Sequence, residues 1–462
     1  MRTLTKKYFF AFTLLIIGAV SLSGCGFKST PPQGYKVNLE VWGVVDDSDA
    51  YSELFAQYKS INPYIGSIIY RKMSAETYQE DLLNALASGN GPDIFMIRNA
   101  WRSTFEDKIV PMPDSSVAEK FYRDSFVDVV ADDFISKNQI YSAPLSVDSL
   151  GLYYNKDLFN AVGIVNPPTT WEEVVDMVGR LNRVDKFGNI IQSGIALGTG
   201  DNINRSSDVL LTLMLQKYVD IGNTQGGRVS FADLKAESAL AFYNQFADIR
   251  SRVYSWNPRL HYSVDAFYEG TLGMMLNYSW RYDELKKKNS KFNFGVAPLP
   301  QFAGEKPVNF ANYWGFVVAK NKTILADQST TVDALQQNTL RIHEAWQFIR
   351  YMTFPHTNNM MTLTNGLANT SKDFTLTFDP AKKYLEKTRK PAARRDLIST
   401  QKTDSALAPF AFGNLIAKNG YQGSPETVTS ALLEAINAVN RGETRMNEAL
   451  SLATNRINAG AR

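Results

Sequence analysis

Cys25 is the only cysteine of this 462-residue sequence, and a cysteine thiolate can act as a nucleophile or a metal ligand. A single thiol cannot form an internal disulfide, and no second cysteine is present to build a zinc or iron–sulfur centre. The role of Cys25 is therefore inferred from its sequence context, which is an apolar N-terminal segment followed by the small residues of SLSGCG. We expect a chemical modification of this thiol rather than a structural pairing.

The first 24 residues have the layout of an export signal. Three basic residues precede an uncharged run over 8–20, and small residues follow it. As a helix at about 1.5 Å per residue the run is roughly 20 Å long, too short for a hydrocarbon core of ~30 Å. The string LSGC also resembles the lipobox of bacterial lipoproteins, in which the cysteine is lipidated. We predict a signal peptide over 1–24, a lipid on Cys25 and a flexible linker over 25–35, the alternative being an incidental thiol near an ordinary cleavage site.

No catalytic motif is recognisable in the sequence. The loop G-x-x-x-x-G-K-[ST] and the motif G-x-S-x-G are absent, and His343-Glu344 lacks the second histidine of a zinc protease. Asp46 to Asp49 is acidic but lacks the glycine and the glutamate of a calcium loop. We therefore expect no catalytic residue, no metal and no cofactor.

Composition and charge indicate an ordinary globular protein. Hydrophobic residues make up 44% of the chain and charged residues 21%, with a formal net charge of +3. Because lysine and arginine are spread along the sequence, we expect no nucleic-acid partner. Two local basic runs, 286–291 and 382–395, are interpreted as solvated faces, with a phospholipid surface or a partner protein as the alternative.

Strand and helix patterns alternate along the chain, which predicts parallel sheets covered by helices. Strands are expected over 37–41, 68–70 and 93–97, with a helix over 78–87 and another after the Asp46–Ser48 start signal. Later strands are expected over 150–154, 271–278, 294–298 and 314–319. Thr170 and Glu173 form a capping box for a helix that begins at Trp171, and helices dominate after Arg341.

The order of these elements and seven local strings resemble the family 1 extracellular solute-binding lipoproteins, the ligand-capturing subunits of ABC importers. The resemblance covers nearly the whole mature chain and is strong because the strings follow the family's order behind a lipobox. The strings are LEVWG at 39–43, ALASGNGPDIF at 85–95, PLSVDSLGLYYNKDLF at 144–159, PPTTWEE at 167–173, AFYEGTLGMMLNYSW at 266–280, FGVAPLP at 294–300 and YWGFVVAKN at 313–321.

This resemblance implies an α/β protein of the two-lobed periplasmic-binding-protein type, with a hinge and a ligand cleft between the lobes. The strings place crossings between the lobes near 146–150, between 278 and 300, and near Phe354. Lobe one would then comprise 36–146 plus 300–354, and lobe two 147–299 plus 355–462.

The family mostly handles sugars, so we expect flat aromatic rings for the C–H faces of a pyranose and charged or amide groups for its hydroxyls. Candidate ligand residues lie at strand ends or match the family's motifs, and each also has a reading as a packing, hinge or solvated residue. They are Trp42, Asn99, Trp101, Asp148, Trp280, Arg281, Asn312 and Trp314. Tyr153 and Tyr154 are interpreted as packing residues, because neighbours on a strand point to opposite faces.

The resemblance implies a monomeric, lipid-anchored extracytoplasmic protein that binds a carbohydrate and delivers it to the permease subunits of an ABC importer in the inner membrane. The anchor would lie on the outer face of the cytoplasmic membrane or on the periplasmic side. Two alternatives stay open: an extracellular glycosidase or lyase, because paired carboxylates have no fixed sequence spacing, and a ligand-presenting subunit of a sensor system.

Overall fold

The structure is a computed structural model that describes residues 36–113, 117–222, 229–323, 333–366 and 370–459. The predicted signal peptide, Cys25 and the linker over 25–35 lie outside the described residues. Within the described ranges, no helix is both long enough and apolar enough to cross a membrane.

The first lobe is built on a five-stranded sheet. Its strands, in spatial order, are Ile65–Lys72, Val37–Gly43, Ile94–Arg98, Trp314–Ala319 and Ile109–Val110. The first three are parallel, as predicted, but Trp314–Ala319 is antiparallel to both of its neighbours. The reason is its direction of entry: the chain arrives from the other lobe, so Trp314 starts its strand opposite Arg98, where the neighbouring strand ends.

The second lobe is built on another five-stranded sheet, with strands in the order Phe294–Pro298, Gly151–Asn155, Leu272–Asn277, Ile190–Ile195 and Arg183–Val184. Leu272–Asn277 and Ile190–Ile195 are parallel. Gly151–Asn155 is antiparallel to the strands on both sides, so the prediction of parallel sheets is wrong here as well. Tyr153 is fully buried and Tyr154 packs on Phe159, which confirms that both are packing residues.

Helices cover both sheets and begin where local signals predicted. The helix Tyr78–Ala87 has the predicted bounds, and the capping box of Trp171–Leu181 is present, with the Glu173 amide 3.2 Å from Thr170 Oγ1. The first lobe carries Ser52–Ile61, Tyr78–Ala87, Arg102–Phe105, Glu119–Ser125, Asp128–Phe134, Ala334–Thr353, Pro380–Thr388 and Arg395–Ile398. The second carries Lys156–Ala161, Trp171–Leu181, Ser206–Gln216, Leu234–Asn244, Ser263–Tyr268, Trp280–Lys288, Pro425–Asn440 and Met446–Ala459, and Ala408–Gly413 lies between the lobes.

Three local predictions differ from the structure. Asp47 precedes the first helical turn but makes no side-chain capping bond. Trp280, expected to end a strand, is the first residue of the helix Trp280–Lys288. The strands Met360–Thr364 and Ser371–Thr375 pair as an antiparallel hairpin in a region expected to be mainly helical.

Buried apolar residues form two clusters, one in each lobe, and the clusters move the expected boundaries. Residues 37–147 and 311–398 supply nearly all of the first cluster, and 150–310 with 421–457 supply nearly all of the second. The segment 355–398, expected in lobe two, therefore packs in lobe one, because the apolar face of Pro380–Thr388 is buried there. The second crossing lies at Phe310–Ala311, and the return lies after Ile398 rather than near Phe354.

The three crossings meet in one small sheet, which we call the crossover sheet: Asp148–Ser149, Asn309–Asn312 and Ala417–Lys418. Buried Asn309 fixes its register, since its side chain accepts from the Leu150 amide at 3.1 Å and donates to the Leu150 carbonyl at 2.8 Å. Gly413 packs so closely on this sheet that a Cβ atom would lie 2.6 Å from Ser149 Oγ. The hinge of the molecule is therefore a tightly packed structure.

Candidate ligand-binding site

A cavity lies between the lobes, against the crossover sheet. We call it the interlobe cavity. Its lining is mostly apolar and aromatic, and four of the eight predicted ligand residues belong to it: Asp148, Trp280, Asn312 and Trp314. The other lining residues are Val45, Met96, Leu145, Ser146, Ser279, Tyr313, Phe316, Tyr384, Lys390 and Pro391. An apolar pocket with a few polar groups is the usual form of a small-molecule site.

The first-lobe wall of the interlobe cavity centres on Trp314. Its indole meets Trp101 edge to face at 5.4 Å and Tyr78 at 5.8 Å, and the Arg98 guanidinium lies 5.4 Å from its ring centre. Trp101 is 4% exposed and stacks on Phe105. Trp101 therefore supports Trp314 from within the lobe and does not line the cavity.

The second-lobe wall centres on Trp280, which is half-buried at the start of its helix. Its ring stacks on that of fully buried Tyr278, with 4.7 Å between centres and 19° between planes. The Arg205 guanidinium lies 5.2 Å from the Trp280 ring centre. Each lobe thus presents a tryptophan to the cavity with an arginine against it.

Asp148 lies in the crossover sheet and holds the second-lobe wall in place. Its carboxylate accepts from the Ser279 amide at 3.0 Å, from Ser279 Oγ at 2.5 Å and from the Ser149 amide at 2.9 Å. Burial raises the pKa of Asp148 to about 7, against the lowering effect of these hydrogen bonds. Since its oxygens are engaged by the protein, Asp148 orients the Ser279 hydroxyl, whose lone pairs remain available to a ligand.

Lys390 and Tyr384 line the interlobe cavity from the first lobe. The sequence analysis had predicted their segment in lobe two. Lys390 Nζ lies 2.6 Å from Asp46 Oδ1, and the Tyr384 hydroxyl donates to Asp46 Oδ2 at 2.7 Å. Burial lowers the pKa of Lys390, while the carboxylate of Asp46 acts in the opposite direction. Arg394 is also buried and bonded to Asp379, so the solvated-face interpretation of the run 382–395 is wrong for these two cations.

The remaining candidates, Trp42, Asn99, Trp101 and Arg281, do not line the interlobe cavity. The Trp42 indole donates to Glu40 Oε1 at 2.8 Å and packs on the first-lobe core. Arg281 pairs with Glu284 on its own helix. No sequence signal separated these residues from the lining ones, because all share a position at or near an element end.

Asn99 belongs instead to a buried network behind the cavity. Its amide donates to Asp133 Oδ2 at 3.2 Å, and the Tyr313 hydroxyl donates to the same oxygen at 2.7 Å. Asn419, from the returning segment, donates to the other oxygen at 3.0 Å. Burial raises the pKa of Asp133 to about 7, against these hydrogen bonds. The network joins the second and third crossings to the first lobe.

Within the described residues, no group of three or more histidine, cysteine, aspartate or glutamate side chains is placed to hold a metal ion. The polar groups of the cavity, in contrast, are suited to ligand hydroxyls.

Residues 48–358 match the model of the bacterial extracellular solute-binding proteins, and this chain belongs to that family. A binding protein of Brucella abortus (strain 2308) is 20% identical over 54% of this chain, which spans 59% of that relative's length. The multiple sugar-binding protein of Streptococcus mutans is 23% identical over 73% of this chain and 77% of its own length.

Solved structures show the same fold. The cyclic alpha-maltosyl-1,6-maltose binding protein from Arthrobacter globiformis matches with a TM-score of 0.70 at 18% identity, over 92% of this chain and 99% of that one. The predicted two-lobed architecture of the periplasmic-binding-protein type is thereby confirmed.

Proposed function

We propose that this protein captures a carbohydrate in the interlobe cavity and delivers it to the permease of an ABC importer. The observation that carries this proposal is the pair of tryptophans, Trp314 and Trp280, which enter one cavity from different lobes. Flat aromatic faces suit the C–H faces of a pyranose, and Asn312 and Ser279 lie among them to bind hydroxyls. The named sugar-binding relative in Streptococcus mutans supports the same class of ligand.

The test is thermal unfolding of the purified protein, produced without residues 1–24, against mono- and oligosaccharides, amino acids and phosphate esters. A ligand that binds only the folded state stabilises it by roughly 2.7 kcal/mol at a hundred times its dissociation constant, a clear rise in Tm. Trp280→Ala and Trp314→Ala should each weaken binding at least tenfold. Trp42→Ala is the matched control, since Trp42 is half-buried but does not line the cavity.

The recovered ligand separates binding from catalysis. A carbohydrate that raises Tm and returns unchanged after prolonged incubation supports capture, whereas its cleavage would favour the glycosidase or lyase alternative. A panel without any carbohydrate response would contradict the proposed ligand class.

The proposal includes lipid anchoring through Cys25, action as a monomer and presentation to a permease. Cys25→Ser should release the protein from the membrane fraction and abolish labelling by a fatty-acid analogue. Light scattering of the soluble form should give the mass of one chain. In native membrane vesicles, uptake of the sugar should require both ATP and this protein, whereas a sensor subunit would leave uptake unchanged.

A further inference from the structure

Arg205 has an unusual backbone and borders the second-lobe wall of the interlobe cavity. It precedes the helix Ser206–Gln216 with φ 67° and ψ 24°, in the left-handed region. A residue with a Cβ atom is uncommon and strained there, and such strain tends to occur at functional sites. Glycine or asparagine would adopt this backbone conformation at a lower energetic cost. We therefore looked to the interactions of the arginine side chain to explain its presence here.

The side chain of Arg205 lies against the aromatic stack of that wall. Its guanidinium carbon is 5.2 Å from the Trp280 ring centre and 5.5 Å from that of Tyr278. Trp280 lines the cavity, so the guanidinium lies beside the surface on which a sugar ring would pack. A group attached to that sugar would be within reach of it.

Every other cation at the cleft has a carboxylate partner. The pairs are Arg98 with Glu426, Arg281 with Glu284, Arg389 with Asp283 and Asp404, and Lys390 with Asp46. Within the described part of the chain, Arg205 has no ion pair and no side-chain hydrogen bond, and its buried Nε–H meets no acceptor. Nε of Arg98 and of Arg281 is also without an acceptor, but each of these guanidiniums reaches a carboxylate through another nitrogen.

The carboxylate nearest to Arg205 along its own helix is occupied. Asp208 accepts from the Tyr278 hydroxyl at 2.8 Å and from Ser207 Oγ at 3.3 Å. Tyr278 therefore keeps Asp208 engaged while its ring holds the guanidinium. An arginine is always charged, and its planar fork forms its strongest bonds with oxyanions. The missing partner is a negatively charged oxygen group.

We propose that Arg205 binds an anionic group on the ligand, so that the protein selects acidic carbohydrates over neutral ones. This inference rests on the proposed carbohydrate function. A sugar packed on Trp280 would place a carboxylate, sulfate or phosphate against the guanidinium. All three groups present negatively charged oxygens to the guanidinium. The experiment below compares ligands that carry each of them.

The experiment measures, by calorimetry on the purified protein, the affinity for oligosaccharides of matched length that are neutral, uronate-bearing, sulfated or phosphorylated. The wild type should bind one acidic class at least tenfold more tightly than its neutral counterpart. Arg205→Asn should lose at least tenfold for the acidic ligand and leave neutral binding within twofold, and Arg205→Lys should fall between. Because asparagine tolerates the left-handed region, Tm should stay the same or rise.

Lys137→Asn is the matched control. Lys137 is also left-handed, with φ 51°, but its exposed ammonium pairs with Glu106 away from the cavity. The substitution should leave the affinity for every ligand unchanged. A merely structural Arg205 would instead give a lower Tm in Arg205→Asn and equal losses for acidic and neutral sugars.

The outcomes distinguish this inference from the function on which it rests. Neutral sugars bound as tightly as acidic ones, with Trp280→Ala still harmful, would overturn the role of Arg205 and leave carbohydrate capture standing. No binding of any saccharide would overturn both. If Arg205→Asn does not fold, equal wild-type affinities for acidic and neutral sugars overturn the inference, and a tenfold preference that is reduced in Arg205→Lys supports it.

Discussion

The first-lobe wall of the interlobe cavity holds Trp314 among Trp101, Tyr78 and Arg98, which is paired with Glu426. The second-lobe wall presents Trp280 on Tyr278 beside Arg205, which has no ion pair within the described residues. The first wall belongs to a deep aromatic core. The second contains backbone strain at Arg205, whose guanidinium has no carboxylate partner among the described residues. The contrast indicates that the first wall provides a rigid surface and that the second provides the selectivity of the site.

The largest effect should follow from removing the support of the first wall. Trp101→Ala deletes a side chain that is 4% exposed and should cost about 3–5 kcal/mol of unfolding free energy. Trp280→Ala, at a half-buried position, should cost roughly 1–2 kcal/mol for the smaller area returned to water. Denaturant unfolding of the two variants checks the difference, and equal costs would contradict the contrast between the walls.

Asp148, in the crossover sheet between the two walls, should make the stability of the protein depend on pH. Because the folded-state pKa of Asp148 is raised to about 7, the wild type loses stability as pH rises from the unfolded pKa of about 4 towards 7. Asp148→Asn lacks this titration, so its stability relative to wild type should improve with pH. At about 1.4 kcal/mol per pKa unit, the relative gain between pH 5 and 7 should be about 2–3 kcal/mol.

Unfolding midpoints of wild type and Asp148→Asn at pH 5, 6, 7 and 8 check this prediction. A stability difference that is constant over this range would mean that Asp148 stays ionised in the folded protein throughout. Asp208→Asn is a useful comparison, because Asp208 also accepts a side-chain hydroxyl, that of Tyr278, but lies outside the crossover sheet.

A smaller loss of stability is expected when the hydroxyl of Tyr278 is removed from the second wall. Tyr278→Phe removes the hydroxyl that engages Asp208 and should cost about 1–2 kcal/mol of stability, since it removes a bond to a charged group. The freed carboxylate could then pair with Arg205, so affinity for acidic sugars should fall while neutral binding is kept. Unchanged acidic binding in this variant, measured by calorimetry, would show that Asp208 does not compete for Arg205.

The smallest effect is expected at the mouth of the cleft. Arg389 of the first lobe bonds Asp283 of the second at 3.0 Å, and both side chains are substantially exposed. Asp283→Asn should therefore cost below ~1 kcal/mol and weaken ligand binding only a few-fold. Small-angle scattering should show a slightly larger radius of gyration without ligand. A tenfold loss of affinity would mean that this pair closes the lobes.

Local sequence patterns predicted much of the architecture. The helix Tyr78–Ala87, the capping box at Thr170 and the strand beginning at Trp314 follow from periodicity and end signals that act over a few residues. The family strings then supplied the two-lobed topology. The same resemblance singled out Trp280, Asp148 and Asn312, which line the interlobe cavity.

Only the tertiary structure determined which side chains the residues of the site contact. Lys390 reaches Asp46 over a separation of 344 residues, and this contact places one cation of a basic run in the cavity wall. Arg205 carries no local signal either, since its strain and its missing partner appear only when Tyr278 and Trp280 pack beside it. Local sequence sets where helices and strands begin and end. Burial and charge pairing between distant segments set which side chains face the ligand, because those energies depend on contacts that exist only in the folded chain.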